Sequence, residues 1–143
     1  MTLTYSKITH NKIEDRLRDV INDYFKKVYI SSRYREQSGN ESIRISVLSV
    51  DITNSSTKSE ELDYTILVRY YLQEAYSESG EKYAKNRIDR LKKLITDNTQ
   101  SYGNMYGLSV DSIDYFVSAD ENEGNDKLQI IDLNVSCKYL YIK

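Results

Sequence analysis

The sequence predicts an α+β fold of order α-β-β-α-β-β, a four-stranded, mostly antiparallel sheet with two helices packed on one face. Three observations predict it. Residues 11–29 and 78–98 repeat apolar side chains at the 3.6-residue spacing of an amphipathic helix. Each is followed by a pair of stretches in which apolar residues alternate with polar ones, the period of a half-buried strand. The last of these, 127–143, alternates over its whole length: Ile131, Leu133, Val135, Cys137, Tyr139 and Tyr141 take one side, and Asp132, Asn134, Ser136 and Lys138 the other. Such a strand would run roughly 50 Å, so it either bends or reaches past its own sheet.

The first helix, 11–29, presents Ile13, Leu17, Val20, Ile21, Tyr24 and Val28 on its apolar face. Asn11 stands as its N-cap with Glu14 completing a capping box, and Lys26 and Lys27 suit the negative end of the dipole. The polar connector 31–42 is long for a link inside one domain. Its Arg33, Tyr34 and Arg35 form a small basic-aromatic cluster that reads as a docking loop for another protein, or as a nucleic-acid contact. In the first strand, 43–52, Ile43, Ile45 and Val47 share one phase and Leu48, Val50 and Ile52 the other. That switch predicts a bulge near Val47 and Leu48, or a strand apolar on both faces. A polar loop, 53–61, is expected to project before the second strand, 62–73, which points Leu62, Tyr64, Ile66, Val68, Tyr70 and Leu72 one way.

The second helix, 78–98, is capped by Ser77 or Ser79 and buries Ala84, Ile88, Leu91, Leu94 and Ile95. Its other face carries Lys82, Lys85, Arg87, Arg90, Lys92 and Lys93, the most basic face of the chain. It reads as a solvated face, or as a seam against an acidic neighbour. The link 99–107 holds Gly103 and Gly107, suited to left-handed or tight backbone. The third strand, 108–119, sets Ile113, Tyr115 and Val117 against Val110 and Phe116. An acidic turn, 120–126, precedes the last strand.

Composition narrows the function classes. A chain of 143 residues supports one core and one domain, 1–143. With 20 basic and 22 acidic residues the net charge is −2, which argues against broad attraction to nucleic acid or anionic lipid. No apolar run approaches the ~20 residues of a membrane helix, and the first residues lack the apolar core of a secretory signal. The single cysteine excludes an intrachain disulfide. Proline and tryptophan are absent while tyrosine occurs 14 times, which suits half-buried sheets and protein interfaces, or reflects an AT-rich genome.

No chemical signature emerges. The acidic turn fails as a calcium loop, because Gly124 stands at its third ligand position and Ile131 where the bidentate glutamate belongs. One histidine, His10, and one cysteine, Cys137, cannot build a structural zinc site, and no glycine-rich phosphate loop occurs. No catalytic residue, metal or cofactor is expected. The open sheet face, with Leu67, Tyr71, Ile130 and Leu140 among polar residues, is a candidate contact surface.

The α-β-β-α-β-β order, the long loops, and the opening formed by the first helix, the Arg33 and Arg35 loop and the first strand resemble the tail terminator (tail-completion) proteins of long-tailed bacteriophages. The resemblance covers essentially the whole chain in architecture and rests on no diagnostic motif. It implies a non-enzymatic virion protein of the tail or neck, forming a hexameric ring that caps the tail tube at the head–tail junction. The implied partners are copies of itself, the tail tube and the neck or connector proteins, with DNA only passing through the ring. Assembly would take place in the host cytoplasm. In a head-to-tail ring the contact is heterologous, so the Lys82, Lys85, Arg90 and Lys93 face would meet Glu121, Glu123 and Asp126 of a neighbour. A head-completion or connector protein of the neck and a non-viral RNA-binding α+β module are the competing readings; a small ferredoxin-like enzyme lacks a nucleophile and base.

Overall fold

The computed structural model describes residues 9–30, 41–73, 78–100, 102–117 and 128–142. Its elements are α1 (Thr9–Asn22), β1 (Val28–Ile30), β2 (Glu41–Ser55), β3 (Ser59–Gln73), α2 (Glu78–Thr96), β4 (Met105–Asp114) and β5 (Leu128–Ile142). The strands form a five-stranded sheet in the order β1-β2-β3-β5-β4, with β1 parallel to β2 and every other pair antiparallel. The expected four strands are therefore five, and the sheet is mixed.

The extra strand comes out of the tail of the expected first helix. α1 ends at Asn22, where the Tyr24 and Phe25 amides both return to the Ile21 carbonyl and close the last turn. Phe25 then turns into the core and Tyr24 stays exposed. Val28, Tyr29 and Ile30, β-branched or aromatic, pair with Ile43, Arg44 and Ile45, and the Ile43 amide donates to the Lys27 carbonyl at 2.9 Å. Parallel neighbours cannot be joined by a tight turn, which accounts for the length of the connector before β2.

Both helices cover one face. α1 lies on β1 and β2, α2 on β4, and the helices touch each other. Ile13, Leu17, Val20 and Ile21 of α1, with Ala84, Ile88, Leu91 and Ile95 of α2, are buried as their spacing requires. They meet the even-numbered residues of β3 from Leu62 to Leu72 and the odd-numbered residues of β5 from Ile131 to Tyr139, all buried. Directly opposite residues share a face, and the register Val68↔Leu133 and Ile66↔Val135 locks these two sets together.

The bulge expected near Val47 and Leu48 is present. Val47 pairs with Ile66 and Ser49 with Thr65, leaving Leu48 as the extra residue. The shift returns Val50 and Ile52 to the helix side, opposite Tyr64 and Leu62. The expected loop 53–61 is instead mostly strand. β2 runs to Ser55 and β3 restarts at Ser59, with Ser56 closing the turn: its amide donates to the Ser59 carbonyl at 2.8 Å and its Oγ accepts from the Ser59 amide at 3.1 Å. Residues 53–58 are exposed and carry no apolar side chain, so no buried face imposes an apolar alternation there. β4 starts earlier than expected, at Met105, and stops at Asp114; Phe116 takes a φ of 52° and the Val117 amide bonds the Ile130 carbonyl. Gly103 and Gly107 are left-handed, with φ of 59° and 67°, Gly107 at the bulge where β4 slips against β5.

Candidate functional site

The open face of the sheet carries an ordered row of charge. Period-two alternation puts Arg44, Arg69, Asp132 and Asp114 side by side on β2, β3, β5 and β4, in the order plus, plus, minus, minus. Arg69 grips Asp132 with both arms, Nε to Oδ1 at 2.7 Å and Nη2 to Oδ2 at 3.0 Å, which raises the guanidinium pKa further. Asn134 donates to the Asp114 carboxylate at 3.0 Å. Arg44 is only 2 % exposed and stacks over the Tyr71 ring at 5.0 Å. Its Nε and Nη2 are buried without a hydrogen-bond partner. Tyr71 itself is 3 % exposed and packs with Ile130 and Val117. Its ring belongs to a second small core and does not present a free stacking surface.

A second cluster ties the helices to the sheet. Arg87 of α2 donates Nη2 to Glu41 Oε1 at 2.6 Å and Nε to Oε2 at 2.8 Å, while the Tyr70 hydroxyl donates to Oε2 at 2.5 Å. The guanidinium lies 4.4 Å from the Phe25 ring centroid and 4.7 Å from that of Tyr24. Burial, then the bond to Glu41, holds the Tyr70 phenol well above its ordinary pKa. This cluster floors a cleft of about 320 Å³ bordered by Lys26 and Lys27. A wider cleft of about 450 Å³ opens between α1 and residues 102–105, where Arg16 sits 4.1 Å above the Tyr102 ring. In both, the arginine rests on neighbouring rings, and Arg87 also on the Glu41 carboxylate.

The basic face of α2 is largely exposed. Lys82, Lys85, Arg90 and Lys93 all reach solvent. Arg90 rests 4.7 Å from the Tyr24 ring, Lys85 5.9 Å from that of Phe116, and Lys93 pairs with Asp97 at 3.3 Å. Arg87, expected on the same face, is committed to Glu41. The other expected contacts, Arg33, Tyr34, Arg35, Glu121, Glu123 and Asp126, lie outside the described residues. Cys137 is buried in the core, its thiol pushed up to about 12 by burial and by Asp63. Among the described residues no group of three or more His, Cys, Asp or Glu side chains could hold a metal ion. No described helix is long and apolar enough to cross a membrane.

Sequence reasoning missed the charge row and the Glu41 clamp. Alternation places Arg44, Arg69 and Asp132 on one face, but their pairing depends on the strand order and register. Nothing in the chain links Glu41 to Arg87 until the fold brings the start of β2 beneath α2.

No protein-family description matches this chain, and no curated protein matches its sequence. Among solved structures, a chain of the "Virion of native gene transfer agent (GTA) particle" shares its fold at a TM-score of 0.52 and 14 % identity, covering 95 % of this chain and 90 % of that one.

Proposed function

We propose that this chain is a non-enzymatic structural protein of a phage-like virion, a tail terminator that forms a ring, hexameric by the resemblance, at the junction of head and tail. The observation that carries the reading is the shared fold with a gene transfer agent virion chain over nearly the full length of both. The tail-terminator resemblance of the sequence points the same way. The exposed basic face of α2, with Lys82, Lys85, Arg90 and Lys93, supplies a surface that a head-to-tail neighbour of opposite charge would cover. The side chains brought together here, bidentate ion pairs and stacked rings, hold elements in place and carry no proton-transfer or nucleophilic constellation among the described residues.

Mass photometry of the purified protein, followed by electron microscopy after mixing with tail tubes lacking their end cap, tests the reading. A closed ring seated on the tube end is the expected result. A protein that stays monomeric at high concentration and ignores tubes would sink the proposal. A ring that binds isolated portal or neck assemblies but not tubes would reassign it to head completion.

A further inference from the structure

The sheet has two edges, and they differ in how they are finished. β1 covers β2 only from Ile43 to Ile45. Beyond that, from Ser46 to Asn54, no described strand pairs with the outer side of β2. The direction of its backbone groups follows from the ladder. The Ile43 amide points outward to Lys27, so the pair Ile43↔Tyr70 is not hydrogen-bonded to β3, and every second pair along β3 repeats that state. Val50↔Tyr64 and Ile52↔Leu62 belong to this set, so the amide and carbonyl of Val50 and Ile52 face away from β3.

Natural sheets blunt such an edge with lysine, proline or a covering segment. Here residues 46–54 carry Asp51 as their only charge and no proline, and Leu48, Val50 and Ile52 are exposed, Ile52 at 61 %. The far edge is β4. There the Leu140 amide donates to the Asn104 carbonyl, and the same alternation turns the backbone of Val110 and Ile113 away from β5.

We infer that the free length of β2, residues 46–54, pairs with the β4 edge of a second copy, so that neighbouring subunits share one continuous sheet. The inference rests on the ring reading and names the contact that closes it. Strand direction selects the occupant. β2, β3, β5 and β4 alternate up, down, up, down, so a copy placed head to tail presents β4 antiparallel to β2 and continues the alternation. A copy related by a two-fold axis through β2 would consume both β2 edges and leave β4 open, ending the assembly at a dimer. Because β1 occupies Ile43 to Ile45, the incoming β4 must sit toward the Ser56 turn. That gives each copy the same stagger, as closing a tilted sheet requires.

Hydrogen exchange on the unmodified full-length protein tests this at the backbone. In the oligomer, the Val50, Ile52, Val110 and Ile113 amides should exchange at least about 100-fold more slowly than in diluted monomer. An oligomer whose four amides exchange at the monomer rate would overturn the edge contact and leave the ring reading standing. A protein that never oligomerises would overturn both. Protection of Val50 and Ile52 that appears only on adding another virion protein would show that a foreign strand occupies the edge, against the inference. Val50→Pro removes one outward donor without touching the β2–β3 ladder. It should keep the far-UV spectrum and weaken assembly at least tenfold; a folded variant that assembles like the parent would also overturn the inference.

Discussion

Replacing Glu41 by alanine tests the clamp that joins α2, β2 and β3. The change strips Arg87 of two charge-assisted bonds, at 2.6 and 2.8 Å, and the Tyr70 hydroxyl of its acceptor at 2.5 Å. Breaking a fully buried pair by deleting one partner costs about 3–5 kcal/mol. Arg87 and Glu41 keep 19 % and 20 % of their side-chain surface in contact with solvent, so some of that loss is recovered by water. The orphaned phenol adds about 1 kcal/mol. A net loss of about 2–3 kcal/mol is expected, or roughly 5–10 °C in Tm for a chain of this size. Arg87→Met should cost less, about 1.5 kcal/mol, because Glu41 keeps Tyr70 as a donor and reaches water. The double variant should return a coupling of at least about 1 kcal/mol. Urea unfolding followed by far-UV circular dichroism and tyrosine fluorescence reads all three, as the chain has no tryptophan. Single losses under about 0.5 kcal/mol with additive behaviour would refute the clamp and make these contacts ordinary surface pairs.

The charge row makes both central charges matter: Asp132→Ala leaves Arg69 beside Arg44, and Arg69→Met leaves Asp132 beside Asp114, like charges with no counter-charge between them, so each should cost about 2–3 kcal/mol in the same urea assay. Losses below about 0.5 kcal/mol for both variants would refute the row as a coupled set. Alkaline pH should destabilise the fold through Cys137. Its folded pKa, raised to about 12, means the unfolded chain releases the thiol proton first, so stability is full below about pH 9 and is lost as pH climbs toward 12. The slope approaches about 1.4 kcal/mol per pH unit for this one group, and Cys137→Val should remove that share of it in denaturant titrations between pH 9 and 10. Tyr70, also raised, adds a loss of the same sign above pH 10. Gly107→Ala meets only an ordinary van der Waals contact, with Lys138 Cγ at 3.9 Å, so the φ of 67° alone should cost about 1 kcal/mol in Tm-derived stability. Ile66→Ala in the core should cost about 3 kcal/mol, while Ile52→Thr should leave the monomer within about 0.5 kcal/mol.

What could be read without the fold was whatever repeats along the chain. Spacing alone picked out most of the buried stripes of both helices, the even face of β3 and the odd face of β5, because burial on one side forces a period on the sequence, and it offered the bulge near Leu48 as one of two readings of the phase switch. It also marked Gly103 and Gly107 as positions of left-handed or tight backbone, and the fold chose the first. Where no apolar face is buried there is no period, and the ends of β2 and β3, at 53–55 and 59–61, looked like a polar loop for that reason. Val28 fitted the helical stripe by spacing, yet its backbone was taken by β2, since the Lys27 carbonyl meets the Ile43 amide only once the sheet has formed. The fifth strand was therefore a tertiary decision. So were the pairs Arg69–Asp132 and Arg87–Glu41, whose members stand far apart in the chain. Register and strand order, not spacing, determine which charges meet. The same is true of the open edge of β2: its residues are legible in the chain, but their exposure follows from β1 pairing only Ile43 to Ile45, with no described strand paired to the outer side of residues 46–54.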